Sequence, residues 1–274
     1  MRTVAGPQVP VAASTAVGPL LRTSATGSVL AVFPAAVYVR LASGAVVAVV
    51  TSDGLRLPNA LVVAAARTDA PFARHAPGGR AAVTGGALVL DGVRYRPVRT
   101  WTPRASTGGT LQVHAVAALD ARLTAAPPAH AGEVAARLRA GAAALGQALR
   151  TGAGLAGAAD ALLGLGPGLT PAGDDVLAGA LVTCVHLGTG VPALAVRVRQ
   201  RAHATTALSA DLLQHCAEGR TSAPVLGVLD ALVGARPLGP ALDALLAVGS
   251  TSGSDTATGV LLAARTLLDR REDA

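Results

Sequence analysis

The hydrophobic positions change their rhythm about midway along the chain. Up to roughly residue 100 they come in short Val-rich runs: VLAVFPAAVYVRL (29–41) and AVVAVVTS (45–52), separated by the turn Ala42-Ser43-Gly44. LRLPNALVVAA continues in the same manner after a second turn signal, Asp53-Gly54. AAVTGGALVLDGVRYRPV then carries two hairpin signals, Gly85-Gly86 and Asp91-Gly92. These runs predict a small antiparallel sheet or barrel ending near Trp101. TPRASTGGTL (102–111) reads as a loop, and AAPPAHA (125–131) as a linker. From there on Leu and Ala recur at three- and four-residue spacing, as the apolar face of a packed helix requires. The fold class expected is therefore α+β, a β-rich N-terminal sheet or barrel over 1–128 and an all-helical domain over 129–274.

With 274 residues, 51% of them hydrophobic and 14% charged, the chain can bury a core and is not disordered by composition. All 23 basic residues are Arg, Ile is absent and Asn occurs once, at Asn59, a pattern of biased base composition that discounts the net charge of +7. The charge is nevertheless uneven: 12 Arg against 4 acids over 1–130, and 11 Arg against 12 acids over 131–274. A nucleic-acid surface needs aromatic rings among its cations, and with five aromatics in the chain no nucleic-acid partner is expected. Arg94, Arg96 and Arg99 lie on or beside one strand, either as a solvated face or as a site for an acidic partner or anion.

Cys184 and Cys216 lack metal or redox spacing and read as small buried residues of a protein in a reducing cytoplasm. MRTVAGPQVPVAASTAVG has no continuous apolar segment, so no signal peptide is expected. Val176 to Val196 carries no formal charge, but His186 and Pro192 interrupt it. It predicts a buried helix plus loop, and no membrane partner.

The stretch with most chemistry is GLGPGLTPAGDD (164–175). Gly164, Gly166 and Gly168 allow positive φ and close backbone approach. Thr170 is placed to cap a new helix with Pro171 in its first turn, and the amides of such a helix start favour an anion. No GK[ST] follows and no strand precedes, so neither a P-loop nor a dinucleotide fingerprint is present. No nucleotide or haem is expected. Asp174 and Asp175 would repel a phosphate. They either cap the helix or hold a hard cation such as Mg²⁺, or an N–H-rich group of a ligand, while the glycine amides hold its phosphate. STSGSDTATGVL (250–261) repeats the pattern of TPAGDDVLAGAL (170–181), 80 residues on. Thr170 aligns with Ser250, Gly173 with Gly253, Asp175 with Asp255 and Gly179 with Gly259. Two such junctions can face each other across one site. Asp211 and His215, at i and i+4, suit a surface ion pair, or else an acid–base or metal pair for which no third ligand is apparent, and His203 lies in a polar run.

GLGPGLTPAGDD with its apolar helix, the Thr205-Thr206-x-x-Ser209 helix and GSTSGSD together resemble a bacterial family that includes the AllH subunit of oxamate carbamoyltransferase. Ala172 departs from the expected Ser, which removes a hydroxyl from that position. The resemblance is concentrated in 162–264. It implies one subunit of a multi-component cytoplasmic enzyme of allantoin breakdown, interconverting oxalurate and phosphate with oxamate and carbamoyl phosphate. Its partners would be the other subunits and a small phosphorylated or carbamoyl substrate. The implied binding set is Gly166, Gly168, Thr170, Gly173, Ser252 and Gly253. Asp174, Asp175 and Asp255 would be the catalytic carboxylates, accepting from the carbamoyl NH₂ or ligating Mg²⁺, the one cofactor these residues suggest. The alternatives are a Mg²⁺-dependent hydrolase or lyase on a helical scaffold and a non-catalytic, anion-binding assembly subunit.

Overall fold

The structure, a computed structural model, describes residues 6–103, 109–188 and 190–272. The chain divides between Pro103 and Arg104 into two compact units. The first is a closed eight-stranded barrel: β1 (Gln8–Ser14), β2 (Ala25–Phe33), β3 (Ala36–Leu41), β4 (Val46–Val50), β5 (Ala60–Val63), β6 (Arg80–Thr84), β7 (Ala87–Leu90) and β8 (Val93–Trp101), with a single-turn helix α1 (Gly18–Leu21) after β1. Around the barrel the strands run β1-β5-β4-β3-β2-β6-β7-β8, and β8 closes on β1. Two hairpins form at the predicted dipeptides: Gly85 and Gly86 take φ of 56° and 72°, and Asp91 and Gly92 take 46° and 83°. Both residues of such a two-residue turn need positive φ, which is why glycine and Asp-Gly sit there.

The expected all-antiparallel pairing is corrected in two places. β4–β5 and β1–β8 are parallel, because the long connection 51–59 lets β5 return in the direction of β4, and β1 closes the barrel beside the last strand. The run 29–41 is also two strands rather than one, turning at Pro34-Ala35. Alternate residues such as Val37, Val39, Val47, Val49, Leu61, Val63, Leu88 and Leu90 point inward and fill the barrel.

The second unit is helical: α2 (Val113–Ala125), α3 (Gly132–Thr151), α4 (Leu155–Leu162), α5 (Ala172–His186), α6 (Pro192–Gln200), α7 (Ala207–Ala217), α8 (Ala223–Leu232), α9 (Leu238–Leu246) and α10 (Ser252–Glu272). The division thus falls 25 residues before the expected 128/129 boundary. Leu111, Val116 and Leu119 on and before α2 are buried in the core of the helical unit, so α2 belongs with it. α5 is apolar nearly all round and buried over most of its surface, which accounts for the uncharged run from Val176. Among the described residues no helix is long and apolar enough to cross a membrane.

The pairing of α5 with α10 positions everything that follows. A Cβ on Gly179 would sit 2.2 Å from the Thr256 carbonyl oxygen, and one on Gly259 would sit 2.0 Å from that of Val176. The two repeated motifs thus supply each other with a glycine, and the helices cross in backbone contact. The same reciprocity holds at the helix starts. A Cβ on Gly173 would strike the Leu162 carbonyl oxygen at the end of α4, and one on Gly253 would strike that of Leu245 in the last turn of α9.

Candidate functional site

The loop 163–171 and the first turns of α5 and α10 form one cluster. Thr170 Oγ1 lies 2.9 Å from Ser252 Oγ, so the two motif starts meet through their hydroxyls. This corrects the expected cap: α5 begins at Ala172 after Pro171, and Thr170 turns its hydroxyl to α10 instead of to its own helix.

The three carboxylates have different occupations. Asp174, 1% exposed, accepts the Gly164 amide at 2.9 Å on Oδ1 and the Thr205 hydroxyl on Oδ2. Burial raises its pKa, against the pull of Thr205, the Gly164 amide and Ser209. Thr206 caps α7 by accepting the Ser209 amide and donates to the Leu169 carbonyl. The Thr-Thr-x-x-Ser helix is therefore the clamp that fixes the glycine loop, and Asp174 is its anchor. Asp255, 3% exposed, has both oxygens 2.9 Å from His130 Nε2. Its carboxyl is raised by burial, with His130 opposing.

Asp175 is different. Its Oδ2 is buried and has no hydrogen-bond partner among the described residues. Burial lifts its carboxyl to about 8, Asp255 and Asp174 add to the rise, and the Ser252 and Thr170 hydroxyls pull it back. At neutral pH it holds a proton, and it titrates where a general acid–base group is most effective. The buried Cys216 thiol, pushed up to about 12, feels Asp175 from α7.

The loop amides divide just as clearly. Gly173 donates to the Leu165 carbonyl at 2.9 Å, Gly253 to that of Val248 at 3.0 Å, and the Asp174 and Asp175 amides to that of Pro171. Gly173 and Gly253 are thus packing positions with no N–H left for a ligand. The amides of Gly166, Gly168, Leu169 and Thr170 donate to no acceptor among the described residues. Gly166 and Gly168 have φ of 110° and 94°, conformations that side-chained residues rarely adopt. Backbone amides left without an acceptor have the chemistry to receive an anion.

The donor set does not fit a resident Mg²⁺. The oxygens of Asp174 and Asp255 already face fixed partners, and no group of three or more His, Cys, Asp or Glu among the described residues could hold a metal ion.

Other sequence candidates lie apart from this cluster's hydrogen bonds. His215 pairs with Asp211 at 3.6 Å and accepts from Arg220, while His203 is exposed beside Arg201. Sequence reasoning missed His130, which it left in a linker. A lone His between Pro-Pro and a helix start carries no periodic signal, and only the fold brings it to Asp255.

No solved structure matches the chain. A family model described as "Oxamate carbamoyltransferase subunit AllH" matches residues 162–264, from the last residue of α4 into α10, a span that includes the glycine loop, α7 and both repeated motifs. Over that segment the chain is similar to the AllH family.

Proposed function

We propose that this chain acts as the substrate-handling subunit of an oxamate carbamoyltransferase, interconverting oxalurate and phosphate with oxamate and carbamoyl phosphate. The observation that carries the reading is a half-buried, protonated Asp175 whose Oδ2 is buried and unpartnered, set at the junction of two motifs beside a row of free amides. The amides of Gly166, Gly168, Leu169 and Thr170 suit a phosphate dianion, and the Thr170 and Ser252 hydroxyls suit its rim or the carbamoyl oxygen.

A phosphate oxygen attacks the ureido carbonyl carbon, and the bond from that carbon to the oxamate nitrogen breaks. The departing nitrogen takes the proton held on Asp175, and the carboxylate left behind takes the proton that phosphate loses. The carboxyl ends as it began, and no metal enters the sequence. Asp174 and Asp255 act by holding the loop and α10 in place around Asp175.

The test is co-expression with the other subunits and measurement of carbamoyl phosphate formed from oxalurate and phosphate. Asp175→Asn should lower kcat by roughly a hundredfold or more while the complex still assembles. Full activity of that variant removes Asp175 from the chemistry. Retained ligand binding with no turnover by any combination of subunits favours the anion-binding assembly role instead.

A further inference from the structure

The charge of the molecule is concentrated on the barrel. Residues 1–103 hold ten Arg against three Asp, and residues 104–274 hold thirteen Arg against thirteen acids, so the net +7 belongs to the first unit. Within it Arg67 pairs with Asp53 at 2.7 Å, and Arg94 donates to the Thr84 carbonyl. Arg56, Arg96 and Arg99 are exposed and have no acidic partner among the described residues.

Two of these cations are brought to one face by an irregularity. Arg96 and Arg99 are three residues apart, which on a regular strand puts them on opposite faces. Here Pro10 faces Arg96, Val11 faces Pro97 and Ala12 faces Arg99, so Val98 is an extra residue in β8. That bulge returns Arg99 to the outer face with Arg96 and leaves Val98 64% exposed. In register beside Arg99 come Ala12 and then Val62, both small. They floor a groove of about 720 Å³ whose sides include Arg56, Arg99 and Trp101. The Trp101 indole N–H has no acceptor among the described residues.

From this juxtaposition we infer that the outer face of β8, β1 and β5 docks an acidic protein surface, that of another subunit of the same enzyme. The partner's identity rests on the subunit reading above. The barrel is closed and offers no strand edge, so a partner engages side chains on this face rather than extending the sheet. Arg, Trp and an aliphatic floor in one groove match the composition of protein interfaces. A nucleic acid would leave that floor and the exposed Val98 uncovered, its phosphates reaching only the cations. Acidic residues of the partner would face Arg56, Arg96 and Arg99, with an apolar side chain seated over Val98.

The experiment measures binding of the full chain to the purified partner subunits at low and high salt. It compares wild type, the double variant Arg96→Glu with Arg99→Glu, and Arg40→Glu, which makes a charge reversal on β3. The double variant should weaken binding roughly tenfold or more and flatten its salt dependence, whereas Arg40→Glu should stay within about threefold of wild type. Wild-type-like binding by the double variant overturns the inference, and so does equal weakening by Arg40→Glu. Loss of retention of a DNA duplex by the double variant, with subunit binding intact, overturns it in favour of a nucleic acid. A wild-type chain that binds no partner subunit overturns it together with the subunit reading; intact activity of the complex with no response to the reversal overturns this inference alone.

Discussion

Replacing Asp175 by Asn should make the protein more stable while making it less active, and the gain should depend on pH. The wild-type carboxyl titrates at about 8 in the folded chain, against an ordinary value of 3.8. Because the folded value is the higher one, the unfolded chain releases its proton first as pH rises. Stability therefore falls between about pH 4 and pH 8 and is flat on either side. The roughly three pH units between 3.8 and neutrality, at about 1.4 kcal/mol each, set a ceiling of about 4 kcal/mol. Relaxation around the side chain reduces this, so the expected gain at pH 7 is about 1–3 kcal/mol. Asn keeps the shape, cannot ionise, and removes the repulsion with Asp255. Urea unfolding of both proteins at pH 5, 6, 7 and 8 reads the difference directly, through the midpoint at constant m-value. The advantage of Asp175→Asn should widen as pH rises across this series. A gap that is constant with pH, or an Asn variant less stable throughout, refutes the protonated, strained Asp175 on which the functional reading depends.

Two further variants test the frame around it. Gly259→Ala puts a methyl group 2.0 Å from the Val176 carbonyl oxygen and should destabilise the helical unit by about 3 kcal/mol in chemical denaturation, because backbone must move to admit it. His130→Ala leaves the buried Asp255 carboxylate without its donor and should cost about 1–3 kcal/mol at pH 7. That cost should shrink as the pH is lowered, since Asp255 already titrates above the ordinary carboxylate range and protonation relieves it. A pH-independent loss would show that His130 acts by packing alone.

The elements were legible wherever local chemistry decides them. Gly85-Gly86 and Asp91-Gly92 are turns because positive φ is needed there, and the Leu/Ala period of α3 to α10 is the imprint of a buried face. β1 was not legible: QVPVAAS is short and becomes a strand by pairing with β5 and β8, partners more than forty residues away. The parallel closure of the barrel is a property of the whole sheet and leaves no trace in a hairpin signal. In the site, the echo of TPAGDD in STSGSD was readable, and the contact of Thr170 with Ser252 bears out the convergence it suggested. The division of labour among the three aspartates was not readable. Asp174 and Asp175 are neighbours in sequence, yet a rotation of about 100° along the helix turns one to the Thr205 clamp and the other to α10.

That division also argues for which residue the site exists to present. Burying a carboxyl is costly, and in two of the three cases the structure offsets the cost: Asp174 gains an amide and a hydroxyl, Asp255 gains a histidine. Each of those two then ties separate parts of the chain together, Asp174 joining the glycine loop to Thr205 ahead of α7 and Asp255 joining the start of α10 to the segment before α3. Asp175 makes no such tie through Oδ2, and burial and its two acidic neighbours oppose its ionisation. A helix core would be more stable with Asn or Leu in that position. On the function proposed above, a group that destabilises the fold, held between two anchored acids and beside unpaired amides, is explained by a ligand it meets only in the working complex.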